Sequence, residues 1–388
     1  MTREKGKKVG KSGEGTASVL MFGLTPTMGG VETFIYNVVA HSDLERVHFE
    51  FLVTGDETPV YAEELENLCG AGCIHHVPEI RTNGMRGYRE VARFFREKGE
   101  GYDWMHLNTC TAAKVFYCYP FSKRYGFKVL AHSHNGSGYK TSFNRLCRPV
   151  LRHATDRFVA CSDVAADWLF GPATAAKTMI VKNGIDVDRF TFSESHRKAV
   201  RQELGIPTDA FVVGHVGRFA KQKNHRFLIE AFRELHVIDS QSVLLLVGTG
   251  DLEAEAKALV NRLGIDRNVV FAGLRDDTYR LYSAMDVFAM PSLYEGLPVV
   301  GVEACSSGLK CLYSTNVSQQ ADLIGTAVFL PLEDGPRHWA KRFAALREDA
   351  KNFAVRAQAG AAVKAAGYDI HLVARKINAL YCGEEENI

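Results

Sequence analysis

Long apolar runs and net charge are both scarce in this sequence of 388 residues. No run approaches the roughly 18 apolar residues that a membrane-spanning helix needs, and the amino terminus lacks the apolar core of a signal peptide. The 47 basic and 45 acidic residues leave a formal charge of +2, so no overall field attracts nucleic acid. We therefore expect no membrane span and no nucleic-acid partner.

An even, closely spaced set of cysteines is also missing. Nine cysteines spread from Cys69 to Cys382, which fits neither a paired disulfide framework nor a four-ligand zinc site and favours a cytoplasmic location. Hydrophobic residues at 46% and charged residues at 24% are typical of globular proteins, and the length predicts two or three domains. Residues 1–16 are polar and rich in Lys and Gly, which predicts a disordered leader, either an expression remnant or a weakly membrane-attracting tail.

From residue 17 onward, short apolar runs alternate with stretches of helical period. The runs lie at residues 18–24, 49–54, 75–77, 104–107, 128–132, 157–160, 211–216, 242–247, 268–272, 286–290, 310–313 and 327–330. Because a crossover between parallel strands passes back over the sheet, this alternation predicts an α/β protein with helices on both sheet faces. The Asn-Gly turn at 183–184 separates two doubly wound domains, at 17–187 and 188–368, with a ligand cleft between them.

Two glutamates separated by seven residues, Glu295 and Glu303, follow the run at 286–290. Glu295 and Gly296 lie in a turn, and the following segment can open a helix whose free N–H groups favour an anion. If that helix begins near Glu295, Glu303 lies about two turns further on, so both carboxylates reach one ligand.

Other polar residues and glycines also follow apolar runs. Arg218 and Lys223 suit the stabilisation of developing negative charge, with solvated surface cations as the alternative. His132 and His134 can bond a ligand hydroxyl or relay a proton, with hydrogen-bonded structural histidines as the alternative. The sequence Gly248-Thr249-Gly250 fails the dinucleotide fingerprint, because Glu253 stands where the third glycine belongs.

Taken together, these motifs resemble those of the retaining nucleotide-sugar glycosyltransferases with the GT-B fold, family four. The segment from Glu295 to Glu303 resembles the family's E-x7-E motif, and Gly217-Arg218 with Lys223 resembles its G-R-x4-K element. Further likenesses are G-T-G at 248–250 to V-G-x-G, F-A-G at 271–273 to F-x-G, P-T-M-G-G-V-E at 26–32 to the glycine loop, and K-N-G-I-D at 182–186 to N-G-I-D. They cover about residues 18–335 in the family's order.

This resemblance implies two Rossmann-like domains facing a central cleft, with the acceptor domain first and the nucleotide-sugar donor domain second. The helix at 369–388 is expected to return to the first domain. The implied activity is retaining, metal-independent transfer of a hexose from a UDP-sugar to a hydroxyl of a glycan or lipid-diphosphate-linked oligosaccharide, in bacterial exopolysaccharide or capsule synthesis. No cofactor is expected, and the D-x-D triplet at 186–188 is interpreted as coincidental rather than as a metal site.

The family's functional residues map onto matching positions of this chain. Catalytic roles fall on Glu295, His134, Arg218 and Lys223. Donor binding, with Glu303 on the ribose and Glu295 on the transferred sugar, falls on Gly29, Gly30, Gly217, Gly248, Gly250, Leu274, Gly296, Leu297, Val299 and Glu303. The positions that match the acceptor side or the cleft are Asn183, His106 and His132. His132 is also the alternative to His134 as the active-site histidine.

A basic stretch between residues 101 and 150 carries seven Lys or Arg against one acid, Asp103. Arg145, Arg148 and Arg152 are spaced to share a helix face, and a neighbouring segment carries five arginines between residues 81 and 96. This pattern predicts either a solvated helix face or a docking surface. The docking surface would contact an anionic membrane at the inner face of the plasma membrane, or a lipid diphosphate acceptor. Two rival functions remain, a GT-B sugar-nucleotide epimerase and a non-catalytic glycan-binding protein.

Overall fold

A computed structural model describes residues 15–136, 141–347 and 352–384. Residues 1–14, most of the predicted leader, lie outside these ranges. The chain divides into two compact units, the first made of Met1–Gly184 with Ile370–Ile388 and the second of Ile185–Asp369. The first unit thus continues to Gly184 of the Asn-Gly turn, whereas the predicted first domain ended three residues later, at residue 187.

A seven-stranded parallel sheet forms the middle of the first unit, in the order β3-β2-β1-β4-β5-β6-β7. Its strands are β1 (Ala17–Phe22), β2 (Val47–Thr54), β3 (Ile74–Val77), β4 (Trp104–Thr109), β5 (Lys128–Ser133), β6 (Arg157–Ala160) and β7 (Met179–Ile180). The helices between them are α1 (Gly30–Ala40), α2 (Ala62–Cys69), α3 (Ile80–Lys98), α4 (Phe121–Tyr125), α5 (Thr141–Ala154), α6 (Asp163–Phe170) and α7 (Pro172–Ala175).

Burial on both faces explains why these strands read as continuous apolar runs. In β1, Leu20 and Phe22 pack into the apolar cluster on one face of the sheet, whereas Val19 and Met21 pack into the cluster on the other. Successive side chains of a strand alternate between faces, so a strand covered on both sides must be apolar at every position.

The second unit repeats the design with a six-stranded parallel sheet in the order β10-β9-β8-β11-β12-β13. Its strands are β8 (Val212–Val216), β9 (Val243–Val247), β10 (Val269–Gly273), β11 (Val287–Met290), β12 (Lys310–Ser314) and β13 (Val328–Leu330). Its helices are α8 (Glu194–Glu203), α9 (His225–Ile238), α10 (Glu253–Leu263), α11 (Thr278–Ala284), α12 (Val299–Ser306), α13 (Gly335–Leu346) and α14 (Phe353–Ala365).

The last helix, α15 (Ile370–Cys382), belongs to the first unit. Its apolar side chains Ile370, Val373 and Ile377 join the cluster that also contains Val19 of β1. The Trp104 indole N–H donates to the backbone oxygen of Tyr381 at 3.0 Å. The end of the chain is therefore part of the first core.

Strand order decides which loops meet in each sheet. In the first sheet the order reverses at β1 and β4, and in the second at β8 and β11. Ligands of doubly wound sheets bind outside the carboxyl ends of the strands at such reversals. Within the described ranges, none of the helices is both long and apolar enough to cross a membrane.

Candidate functional site

In the second unit, the loops that follow β8 and β11 are hydrogen-bonded to each other. The Leu293 N–H donates to the oxygen of Gln222 at 2.8 Å, and the Gln222 side-chain amide donates to the oxygen of Tyr294 at 3.0 Å. These bonds bring Lys223 next to Glu295, 2.6 Å from Nζ to Oε1. The two side chains are only 17% and 11% exposed, so the ion pair is shielded from water.

Glycines allow the turn after β9 to lie directly against the loop that carries Arg218. A Cβ on Gly248 would lie 2.3 Å from the Gly217 oxygen, and one on Gly250 would lie 2.7 Å from the Phe219 oxygen. Both glycines also have positive φ, +129° and +152°, a conformation that other residues rarely adopt. These contacts fix the backbone of Gly217 and Phe219, the two neighbours of Arg218. The side chain of Arg218 is exposed.

Glu303 lies in the second turn of α12 and is held by a residue that the sequence does not point to. The Tyr282 hydroxyl, from α11, donates to Glu303 Oε2 at 2.7 Å. Burial raises the pKa of Glu303 to about 7, although the bond from Tyr282 opposes the shift. Near neutral pH this carboxyl therefore exchanges between its charged and neutral forms.

A helix follows Glu295 and Gly296, as predicted, but it does not begin near Glu295, which was the condition for the two-turn spacing. Helix α12 begins at Val299, with Pro298 as its N-cap, so Glu303 lies one turn closer to the helix start than expected. Glu295 instead lies in the loop, where its N–H donates to the Asn316 oxygen at 3.1 Å. Proline before the first helical residue explains the boundary, because it restricts the residue preceding it, Leu297, to extended conformations.

The remaining predicted donor positions of the second unit lie in loops that follow strands or at the start of α12. Gly296 is exposed, Leu297 is half-buried, and Val299 is the first residue of α12, where backbone N–H groups have no partner within the helix. Leu274 follows β10 and is 64% exposed. The free N–H groups at this helix start favour an anionic ligand.

In the first unit, His134 follows β5 and has an asparagine oxygen beside each ring nitrogen. Its Nε2 lies 2.9 Å from Asn108 Oδ1, and its Nδ1 lies 3.1 Å from Asn183 Oδ1. The Asn108 amide nitrogen donates to the Phe22 oxygen, which leaves its Oδ1 to accept from Nε2–H. Burial lowers the pKa of His134 to about 4, so the ring is neutral at physiological pH.

His132 and His106 lie in the interior behind His134 and have no surface exposure. The rings of His132 and His134 stack with centroids 4.1 Å apart, and His132 Nδ1 lies 3.2 Å from His106 Nε2. His106 Nδ1 is bonded to the Tyr381 hydroxyl of α15. Of the two histidines that end this apolar run, His134 is thus the one with some solvent exposure, at 6%.

The glycine loop at 26–32 is organised by a carboxylate that sequence analysis did not single out. The Thr25 hydroxyl donates to Glu32 Oε1 at 2.6 Å, and a Cβ on Gly29 would lie 2.7 Å from Glu32 Oε2. Burial raises the pKa of Glu32. Gly30, the first residue of α1, is exposed.

Two residues missed from the sequence, Asn108 and Tyr282, differ in how they could have been found. Asn108 is a polar residue near the carboxyl end of β4, a position where ligand-binding side chains collect. Tyr282 lies on the buried side of a short helix, and no sequence signal distinguishes it from a core tyrosine.

The D-x-D triplet makes local bonds and an ion pair. The Arg189 N–H donates to Asp186 Oδ1, and Asp188 pairs with Lys364 at 2.7 Å. Among the residues that the structure describes, no group of three or more His, Cys, Asp or Glu side chains could hold a metal ion.

Comparison with known proteins decides the family. A family model for glycosyl transferases group 1 matches residues 210–349, and one for glycosyltransferase family 4 matches residues 28–189. EpsF of Bacillus subtilis (strain 168), which is named as a glycosyltransferase, is 32% identical over 329 residues, covering 81% of this chain and 84% of EpsF. The chain belongs to glycosyltransferase family 4. The predicted family is confirmed, and the two matched segments fall in the two units in the expected order.

Solved structures confirm the GT-B fold of this family-4 glycosyltransferase. The crystal structure of Anabaena HepE in complex with UDP superimposes with a TM-score of 0.76 at 21% identity, covering 94% of this chain and 99% of HepE. A shorter match, 28% identical over 172 residues, is the UDP-Gal:α-D-GlcNAc-diphosphoundecaprenol α-1,3-galactosyltransferase of Escherichia coli, covering 43% of this chain and 42% of that enzyme.

Proposed function

We propose that this glycosyltransferase moves a sugar from a UDP-sugar to a hydroxyl of a glycan or lipid-diphosphate-linked oligosaccharide, with retention of configuration and without a metal ion. The UDP and UDP-glucose complexes of HepE support the donor class, although that likeness is one of fold. The E. coli relative, named for a GlcNAc-diphosphoundecaprenol substrate, supports a lipid-diphosphate-linked acceptor in glycan synthesis. A cytoplasmic location stays a prediction.

The observation that carries this proposal is the Lys223–Glu295 pair beside Arg218, at the carboxyl ends of neighbouring strands. A nucleoside diphosphate gains negative charge as its bond to the sugar breaks, and each preorganised donor at such a position contributes about 3–4 kcal/mol to the transition state. We infer that the Lys223 ammonium turns from Glu295 to the diphosphate when the donor binds. Glu295 then faces the transferred sugar, whose ring becomes positively charged.

Retention follows if both bond changes occur on one face of the sugar. The bond from the sugar carbon to the diphosphate oxygen breaks, the acceptor oxygen bonds to the same carbon on the same face, and the departing phosphate oxygen takes the acceptor's proton. Glu295 stabilises the positive ring electrostatically and forms no covalent bond. Exclusion of water from the bound sugar limits hydrolysis of the donor.

The other donor-side residues are proposed to hold the nucleotide. Glu303, oriented by Tyr282, accepts hydrogen bonds from the ribose hydroxyls, and Leu274 borders the base. The backbone N–H groups of Gly296, Leu297 and Val299, at and just before the start of α12, approach the sugar and the diphosphate. The glycines of the second unit that permit close backbone approach to the donor are Gly217, Gly248 and Gly250. In the first unit the same role is proposed for Gly29 and Gly30.

On the acceptor side, His134 is proposed to bind a sugar hydroxyl rather than to act as an acid. Its pKa of about 4 keeps the ring neutral at pH 7, and Nε2–H donates to Asn108 Oδ1. The unprotonated Nδ1, which lies beside Asn183 Oδ1, is then left to accept a hydrogen bond from the sugar hydroxyl. His132 and His106 support this ring from the interior and touch no ligand in this proposal.

Substitution of the central ion pair tests the function. We expect Lys223→Ala and Glu295→Gln each to lower sugar transfer by roughly 100- to 1,000-fold while the circular dichroism spectrum is retained. A matched control is Lys257→Ala, which removes an exposed pair with Glu253 of the same 2.6 Å length on α10. Full activity in either site variant, or equal loss in the control, contradicts the assignment.

The chemistry of the products tests the finer claims. Proton NMR of the product is expected to give the anomeric configuration of the donor, and activity is expected to persist in EDTA. An inverted product or a chelator-sensitive reaction contradicts retention or metal independence. Isomerisation of the nucleotide sugar without any acceptor indicates an epimerase instead, and donor binding without turnover indicates a binding protein.

A further inference from the structure

Helix α5 presents large apolar side chains to solvent. Its buried face contains Asn144, Cys147 and Leu151, and the Asn144 side-chain oxygen accepts the Ala112 N–H at 2.6 Å. On the outward side, Phe143 is 49% exposed and Leu146 is 73% exposed. Residues three apart lie on the same side of a helix, so these two side chains form one apolar ridge.

The neighbouring helix α6 carries another exposed apolar side chain, on the arginine side of α5. Val164, in its first turn, is 61% exposed. A cavity of about 390 Å³ lies between the two helices, lined by Arg145, Arg148, Val164, Asp167, Trp168 and Pro172, with Gly136 at its edge. Exposed apolar groups beside a partly polar cavity are typical of an interaction surface.

Three arginines flank this ridge along α5. Arg145 is exposed, and Arg148 and Arg152 are half-buried. The Arg148 guanidinium donates through Nη2 to the oxygens of Asp167 and Trp168, whereas its buried Nε has no hydrogen-bond partner among the described residues. Burial, followed by repulsion from Arg145 and Arg152, lowers the pKa of Arg148. An uncompensated donor among mutually repelling cations favours an anionic ligand.

Acidic groups on this surface are fewer than the cations. Asp167 lines the cavity, and Asp163 is the first residue of α6. The five charged side chains of the two helices thus include three arginines and two aspartates, and only one of these aspartates lines the cavity. A face with exposed apolar residues flanked by arginines matches the interface of a bilayer rich in anionic lipid.

We propose that the outer faces of α5 and α6 dock on an anionic phospholipid bilayer, with Phe143, Leu146 and Val164 entering the interface. Arg145, Arg148 and Arg152 contact lipid phosphates, and the cavity beside Arg148 receives a headgroup. This surface is separate from the residues assigned above to the donor. Docking would hold the enzyme at the membrane that contains a lipid-linked acceptor. This benefit rests on the proposed function, in which the acceptor is lipid-linked.

Vesicle co-sedimentation of the full chain tests the docking face without donor or acceptor. We expect binding to vesicles that contain phosphatidylglycerol, none to phosphatidylcholine alone, and release as salt is raised, because screened charges contribute less. Each arginine near the surface contributes about fivefold to the affinity, so the double variant Arg145→Gln/Arg152→Gln is expected to bind about 25-fold more weakly. Phe143→Ser/Leu146→Ser is expected to lose binding even at low salt.

A matched control exists in the second unit. Val237 and Ile238 on α9 are 67% and 55% exposed, so Val237→Ser/Ile238→Ser removes a similar apolar area from another surface and is expected to bind vesicles normally. Thermal unfolding of every variant verifies the fold.

Several outcomes overturn the docking proposal. They are equal binding to neutral and anionic vesicles, no binding at all, or equal weakening in the control. Binding that appears only in vesicles doped with a polyprenyl diphosphate also overturns it and assigns the face to the acceptor. Because donor binding is measured separately with UDP in solution, failure of docking and failure of the proposed function give different results.

Discussion

The pH dependence of donor binding gives a quantitative test of Glu303. Burial raises the pKa of this carboxyl to about 7, and Tyr282 already occupies one of its oxygens. The ionised form accepts hydrogen bonds from the ribose without having to lose a proton first, so donor affinity is expected to rise with pH. The ionised fraction increases from about 0.09 at pH 6 to about 0.9 at pH 8, which predicts roughly tenfold tighter binding, or about 1.4 kcal/mol.

UDP-glucose is a suitable ligand for this measurement, because its diphosphate is esterified at both ends and keeps its charge between pH 6 and 8. The buried histidines near the proposed ligand positions do not interfere. The pKa values of His134 and His215 are lowered to about 4 and that of His225 to about 2, in each case mainly by burial, so all three stay neutral over this range.

Isothermal titration calorimetry of the wild-type enzyme and of Glu303→Gln decides the matter. Glutamine keeps an oxygen that can accept from Tyr282 but cannot ionise, so its binding is expected to be weaker at pH 8 and independent of pH. A flat profile in the wild-type enzyme refutes the reasoning. A slope that persists in the variant shows that another group titrates and removes Glu303 from the ribose site.

Two further substitutions test the framework under the donor residues. The buried Asp286 accepts from Arg197 at 2.7 Å and from Arg201 at 2.8 Å, so Asp286→Asn is expected to lower the free energy of unfolding by about 3–5 kcal/mol, measured in urea. Gly248→Ala places a Cβ 2.3 Å from a backbone oxygen and is expected to abolish UDP binding. Gly264→Ala, with φ of +69° and open space around it, is the control and is expected to cost about 1–3 kcal/mol while UDP binding persists.

Strand positions were predictable from the sequence because both faces of each sheet are buried. In β8, Val213 enters one apolar cluster while Val212 and Val216 enter the other. The strand therefore appears in the sequence as a continuous apolar run, and the predicted run at 211–216 differs from β8 by one residue. The two-residue strand β7, Met179–Ile180, was not predicted, because it is too short to show any periodicity. Helix α3 spans Ile80–Lys98 but is interrupted at Gly84, whose φ of 51° is not helical.

The sequence predicted which loops carry the candidate site residues, but not which of these residues touch. Motif spacing placed Lys223 and Glu295 after separate apolar runs, yet 72 residues separate them, and their contact depends on β8 and β11 being neighbours in the sheet. Strand order is a property of the whole sheet, and the sequence of neither loop determines it.

The ionisation of Glu303 likewise depends on packing between separate elements. The pKa of Glu303 reflects its burial and a hydroxyl from α11, and Tyr282 reaches it only because α11 and α12 pack side by side. Identical spacing of the two glutamates on a more open surface would leave Glu303 charged throughout the physiological range. The E-x7-E pattern therefore predicts where the two carboxyls lie along the chain, and the surrounding core sets the pH at which Glu303 can accept a ribose.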